Sequence, residues 1–307
     1  MSFGWVAGAV RGRALARRRL GDDGVEALAA KTSLADALAF LAASSYGHRI
    51  HGALDAVSAQ RAIAETSVWH LRVLAGWLPP RGVQSIRAVA GWFEVLDIEN
   101  HAWTIAAGGR WREPLFPLGA LATVWPRVAS TTTLRELRTV LAHSAWGDPG
   151  GDRLPDVLLG LRLGWSRALR AVGPAARAWG DGALALSLAK GWFGSARDER
   201  PNRPDVPELG DRWRDTTDLT AFARAIPITG RWVLQDVRQF SDLWRAERAW
   251  WLRVDHEAAQ QLRARHLGRT AVIAAALVIV SDCWRTLAAL AQAARGASVR
   301  EFSHGDA

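Results

Sequence analysis

Ser33-Leu34-Ala35-Asp36, running on through Leu41-Ala42-Ala43-Ser44-Ser45-Tyr46-Gly47, returns one hundred residues later as Thr133-Leu134-Arg135-Glu136 through Leu141-Ala142-His143-Ser144-Ala145-Trp146-Gly147. Each copy opens on a hydroxyl side chain with a carboxylate three positions on. That is the pattern of a capping box, in which two backbone amides lacking an intrahelical partner are satisfied reciprocally. Each copy closes on Leu-Ala-x-Ser-x-aromatic-Gly. A glycine there can take the left-handed conformation that ends a helix, and the aromatic can pack on the last turn. Agreement over that length in one register implies a repeated helical unit about 100 residues long.

Outward from these copies, nearly every long segment has helical rather than strand periodicity. Residues 3–20 read as a first helix, with Phe3, Val6, Ala7, Val10, Ala14 and Leu15 on one side and arginines opposite. Helices are expected over 57–78, stopped by Pro79-Pro80, and over 83–107, closed by Gly108-Gly109. Pro114 and Pro117 open a second unit with helices over 118–128, 133–144, 154–172 and 174–192. The charged stretch 194–217, with Pro201, Pro204 and Pro207, reads as a linker. Asp218 through Ile226 reads as a shortened third copy of the repeated helix, followed by two long helices near 237–266 and 269–294.

A second echo supports three units. Val95-Leu96-Asp97-Ile98-Glu99-Asn100-His101-Ala102-Trp103 precedes Gly108, and Val278-Ile279-Val280-Ser281-Asp282-Cys283-Trp284 precedes Gly296. The counterpart around Leu184 to Phe193 lacks the acidic residue. The expectation is an all-α chain of three pseudo-repeated units, 1–112, 113–198 and 199–307, the last including the linker and a frayed tail.

The chain's 307 residues can bury more than a single core. The 17 tryptophans fall mostly within amphipathic patterns, where they read as core anchors. Cys283 is the lone cysteine, which excludes an intramolecular disulfide framework and a cysteine-based metal site and fits a reducing cytoplasm. The arginines of the first helix follow its small apolar stretch, the reverse of a secretory signal. The most apolar run, Thr270 to Ser281, is shorter than the roughly 20 residues that span a bilayer and reads as a buried helix. A net charge of +9 admits nucleic acid, anionic lipid or an acidic protein surface as partner. Beyond Arg11–Arg19 the charges do not gather into a stripe, and no interleaved aromatics of a base-stacking strand accompany them.

Together these features resemble the C/d subunit of V-type (archaeal and bacterial A/V-type) rotary ATPases. The resemblance rests on Val10-Arg11-Gly12-Arg13 with Leu15, on Ser33-Leu34 with Tyr46-Gly47, on Asp97-Ile98-Glu99-Asn100 leading into Ala102, Ile105 and Ala106, and on Phe116-Pro117-Leu118-Gly119. Glu247-Arg248 and the run from Gly268 to Trp284-Arg285 extend it toward the C-terminus, so that it covers about residues 3–296. Trp5 departs from it, standing where the family commonly has tyrosine. The resemblance implies a funnel of three similar helical units, peripheral to the cytoplasmic membrane. It would be seated on the membrane rotor ring and receive the central stalk, passing torque with no catalytic residue, no cofactor, no nucleic-acid partner and no transmembrane segment of its own.

Other chemistry finds little footing. No Gly-x-x-x-x-Gly-Lys-Ser/Thr loop is present. His256-Glu257 lacks the second histidine of a zinc helix, and Asp22-Asp23, between Gly21 and Gly24, reads as a turn without the spacing of a prenyl-diphosphate magnesium site. His48 and His51 read as surface or cap residues. Asp97 and Glu99, two apart on a helix, do not face one another and read as cap or interhelical hydrogen-bonding groups. Arg11, Arg13, Arg17, Arg18 and Arg19 form the one candidate interface, either a solvated face or a surface meeting acidic loops of ring or stalk. The competing functions are a basic helical nucleic-acid-binding protein, which salt-dependent retention on DNA would reveal, and an isoprenoid-type helical enzyme, whose metal-binding aspartates are absent.

Overall fold

In the computed structural model the described residues are 3–50, 55–109, 115–194, 199–264 and 267–304, with side chains described up to 295. They are all-helical, with no strand among them. The helices are α1 (Phe3–Ala16), α2 (Gly21–Ala29), α3 (Leu34–Ala42), α4 (Ala56–Ala75), α5 (Pro80–Ala106), α6 (Trp125–Val128) and α7 (Leu134–Ala142). They continue as α8 (Leu154–Ala171), α9 (Pro174–Phe193), α10 (Leu219–Ala225), α11 (Ile228–Arg231), α12 (Leu243–Arg263) and α13 (Arg269–His304).

The repeated motif forms one local structure twice. Ser33 is extended (φ −139°, ψ 155°) and its hydroxyl accepts from the Asp36 amide at 3.0 Å. Thr133 (φ −133°, ψ 154°) accepts from the Glu136 amide at 3.2 Å, and α3 and α7 are both nine residues long. After each helix a serine hydroxyl donates to a leucine carbonyl and accepts from the following aromatic's amide: Ser44 to Leu41 at 2.7 Å with Tyr46 at 3.1 Å, and Ser144 to Leu141 at 2.7 Å with Trp146 at 3.1 Å. A third start of the same kind is Asp218 (φ −140°, ψ 165°), which accepts from the Ala221 amide at 2.8 Å and opens α10.

Two details differ from expectation. The return half of the capping box is missing: Asp36 accepts from the Ser33 hydroxyl, and Glu136 from the Thr132 amide, one residue before the cap. The two glycines also serve different ends. Gly147 takes the left-handed region (φ +79°), whereas Gly47 does not, and a Cβ on Gly47 would lie 2.0 Å from the Ala42 carbonyl oxygen. One is required for its dihedral, the other for close approach.

The chain divides into two compact units, neither contiguous: Met1–Ile86 with Leu115–Gly119 and Asp255–Ala307, and Arg87–Pro114 with Ala120–Val254. These follow packing density, whereas boundaries at 112 and 198 follow the sequence echo.

In the first unit α13 is the central element, contacted by α1, α2, α3 and α4. Every residue from Ala271 to Cys283 is buried. The apolar run expected to be too short for a bilayer continues in this helix, and residues 269–295 suffice by length and composition to cross a membrane; here most of that stretch lies inside the protein. The face expected to be buried on α1 is used only in part: Leu15 is buried, but Phe3 is 95 % exposed and Val10 58 %. Instead Gly4, Gly8 and Gly12, four residues apart, lie against Pro79, Leu78 and Ala275, with Ala9, Leu15 and Ala16 buried beside them. Absent side chains allow the helix close approach, a gain the apolar side chains opposite cannot match. Residues 17–20 turn the chain, so the single helix expected over 3–20 ends at Ala16 and a second, α2, starts at Gly21. Asp22 and Asp23, expected in a turn, occupy the first turn of α2, where carboxylates complement the helix dipole. Pro80 starts α5 rather than merely ending its predecessor, as suits a residue without an amide donor.

In the second unit α8 and α9 are joined by two residues and pack along one another, with Arg170 Nε donating to buried Asp181 at 2.5 Å. Trp92, Trp165, Trp250 and Trp251 form a cluster with ring centroids 4.7–6.5 Å apart, as core anchors should. A helix over 118–128 is not formed. A short 3-10 turn at Gly119–Leu121 precedes α6, and buried Glu94 accepts from the Thr123 (2.7 Å) and Val124 (2.8 Å) amides to cap it. The stretch read as a linker holds 3-10 turns at Pro207–Leu209 and Arg212–Asp215, and docks by Trp213, which is 1 % exposed.

Candidate partner interface and the adjoining carboxylate cluster

The five arginines of the chain's start separate into two groups, all within the first unit. Arg11, Arg17 and Arg18 are exposed. Arg13 donates to the carbonyls of Leu262 (3.2 Å, from Nε) and Ala264 (2.9 Å, from Nη2) at the end of α12. These carbonyls lack amide partners within the helix and draw a cation through the helix dipole. Arg19 reaches Asp255 at 3.4 Å. The sequence shows five equivalent cations; three remain available to a partner, and two hold the fold.

Beside them is a buried network. Asp282, 1 % exposed on α13, accepts from the amides of Leu20 and Gly21, both at 2.9 Å, and from the Tyr46 hydroxyl at 2.8 Å. Arg285, one turn on, is bonded to Asp22 and lies 3.6 Å from Asp255 and 3.7 Å from Asp282. Asp255 also accepts from the Ser281 hydroxyl at 2.9 Å. Three carboxylates thus face the guanidinium of Arg285, with Arg19 at the edge.

The electrostatics fit a brace better than a reaction centre. Burial and the neighbouring Asp282 charge push the Tyr46 hydroxyl well above its usual range, so it stays a donor. Burial opposes the charge of Arg285, but Asp255 and Asp22 raise its pKa nonetheless. Its hydrogen bond from Arg285 keeps Asp22 below the ordinary carboxylate range. Burial pushes the Cys283 thiol to about 12, so no thiolate nucleophile is present at neutral pH. Burial, then the charges of Arg18 and Arg11, lower His70 to about 4. A carboxylate with three donors upon it is committed to holding the reversal between α1 and α2 onto α13.

The other residues singled out by sequence lie elsewhere. Glu99 pairs with Arg162, Asp97 is buried on α5, and His101 Nε2 is 2.9 Å from the Thr131 hydroxyl. His256 is 2.8 Å from Gln260, and His48 lies near the Trp69 ring; His51 falls outside the described residues. No group of three or more His, Cys, Asp or Glu among the described residues could hold a metal ion. Asp181 was missed by sequence reading. It lies just before Leu184–Phe193, where the echo lacks an acidic residue, and it gives α9 a buried aspartate, as α5 has Asp97, α8 has Asp156, α12 has Asp255 and α13 has Asp282.

No protein-family model matches this chain, and no curated protein matches it.

Proposed function

We propose that this chain is a non-catalytic coupling subunit of a V-type rotary ATPase, peripheral to the cytoplasmic membrane, joining the membrane rotor ring to the central stalk. Three related helical units, arranged as a funnel, would carry torque between them. The observation that carries the reading is the recurrence of one helix start at Ser33, Thr133 and Asp218, with the same serine-aromatic closure after the first two. A torque-bearing part must resist twist. Close-packed interiors deform little, and the α1–α13 glycine contact with its neighbouring carboxylate cluster suits that demand.

No specific observation favours nucleic-acid binding. Several arginines are engaged internally, Arg13 on helix-end carbonyls and Arg162, Arg167, Arg170 and Arg285 on carboxylates. The test is reconstitution with purified rotor ring and central-stalk subunits. The native chain should co-purify with both, and the triple variant Arg11→Glu, Arg17→Glu, Arg18→Glu should associate more slowly, with a weaker dependence on salt. A native chain that binds neither ring nor stalk refutes the reading; unchanged association of the variant refutes only the role of the three arginines.

A further inference from the structure

The second unit has a half-open cavity of about 450 Å³ between α5, α8, α9 and α12, within the range of small-molecule sites. Its walls are indoles, from Trp92, Trp165, Trp250 and Trp251. Along α9 the lining residues are Ala183, Leu186, Ser187, Lys190 and Gly191, at helical steps of three and four, and Ala183, Ser187 and Gly191 among them are small. That spacing sets one face of the helix toward the cavity, and the small side chains leave room there.

Two ion pairs occupy the lining, Arg162 with Glu99 and Lys190 with Glu247. In each the cation is the more accessible partner: 30 % against 13 % side-chain exposure in the first, 38 % against 23 % in the second. Arg162 bonds Glu99 through Nε and Nη2, leaving Nη1, and lies 4.5 Å over the Trp92 ring. Lys190 bonds Glu247 by one of the three donors an ammonium carries. The charge met by an entering molecule is therefore positive, with hydrogen-bond donors to offer, and the surface behind it is aromatic.

We propose that this cavity is a binding site for a small amphiphilic anion, its flat apolar body against the indoles and its carboxylate-like head on Arg162 Nη1 and Lys190 Nζ. This is independent of the rotary reading. The test is calorimetric titration of the full chain with three probes sharing one ring system: naphthaleneacetate, naphthaleneethanol and naphthalenemethylammonium. The acetate should bind at one site per chain, about tenfold tighter than the alcohol, with the ammonium weakest. Ser187→Phe, which fills the cavity, should abolish binding, and Lys190→Gln should reduce the acetate to the affinity of the alcohol. The proposal is overturned if no probe binds, if the ammonium binds as well as the acetate, or if Ser187→Phe binds the acetate like the native chain. Should Ser187→Phe fail to fold, an unchanged acetate preference in Lys190→Gln would still overturn it.

Discussion

Replacing Asp282 by alanine removes one acceptor from three donors, the Leu20 and Gly21 amides at 2.9 Å and the Tyr46 hydroxyl at 2.8 Å. A hydrogen bond to a charged group contributes about 1.5–3 kcal/mol. Three would sum to about 4.5–9 kcal/mol, but bonds sharing an acceptor are not additive, so the sum is an upper bound. Arg285 keeps Asp22 and Asp255 after the change, so its charge is not stranded. The expected loss is therefore about 4 kcal/mol, more than one such bond alone and less than the three summed. Tyr46→Phe removes the bond to Asp282, with a weaker contact to Ser67, and should cost about 2 kcal/mol. In the Asp282→Ala background it should cost under about 0.5 kcal/mol, because the hydroxyl has already lost its acceptor. Urea unfolding followed by far-ultraviolet circular dichroism measures these differences. Hydrogen exchange should show the Leu20 and Gly21 amides losing protection in Asp282→Ala. A loss below about 1 kcal/mol, or the same Tyr46→Phe cost in both backgrounds, would refute the reasoning.

Two further predictions concern the same unit. Gly12→Ala would place a Cβ 2.8 Å from that of Ala275, with both atoms fixed to helix backbone. Overpacking should cost about 1–3 kcal/mol, outweighing the gain of about 1 kcal/mol in helix propensity; a melting temperature raised by the substitution would contradict the contact. His70 gives a pH dependence, since burial and then Arg18 and Arg11 oppose its protonation, partly offset by Asp282. The unfolded chain takes up this proton below about pH 6.5, whereas the folded chain does so only near pH 4. Stability from this group is thus complete above pH 6.5 and declines toward pH 4, by about 3 kcal/mol in total. Urea titrations at several pH values should show His70→Gln to be flatter over that window; an unaltered slope would exclude His70 as its source.

The helical class and both copies of the capped helix were legible because their signals are local. A hydroxyl before a leucine, with a carboxylate three on, specifies a helix start whatever surrounds it. What was not legible depends on partners distant in the chain. The side of α1 that is buried follows from Leu78 and Ala275 meeting Gly8 and Gly12, and no periodicity of apolar residues reports a contact made by missing side chains. Asp22 looked like a turn residue because its partner, Arg285, is 263 positions away. Arg13 and Arg19 were indistinguishable from Arg11, Arg17 and Arg18 for the same reason. Asp181 escaped because its place is set by Arg170 across a two-residue connection, which the echo of the other two helices does not report. The two pairs in the tryptophan-lined cavity join residues 63 and 57 apart, with nothing in the local pattern to associate them.

The position of α13 along the chain has a consequence for biosynthesis. The helix around which α1 to α4 assemble is translated long after them, so those earlier segments must wait, incompletely buried, until the residues between α4 and α13 have been made. The other unit ends at Val254 and has all its parts in hand sooner. Premature termination before Arg269 would leave the glycine face of α1 without its counterpart on α13 while sparing the tryptophan cluster, yielding a half-formed product for quality control to remove.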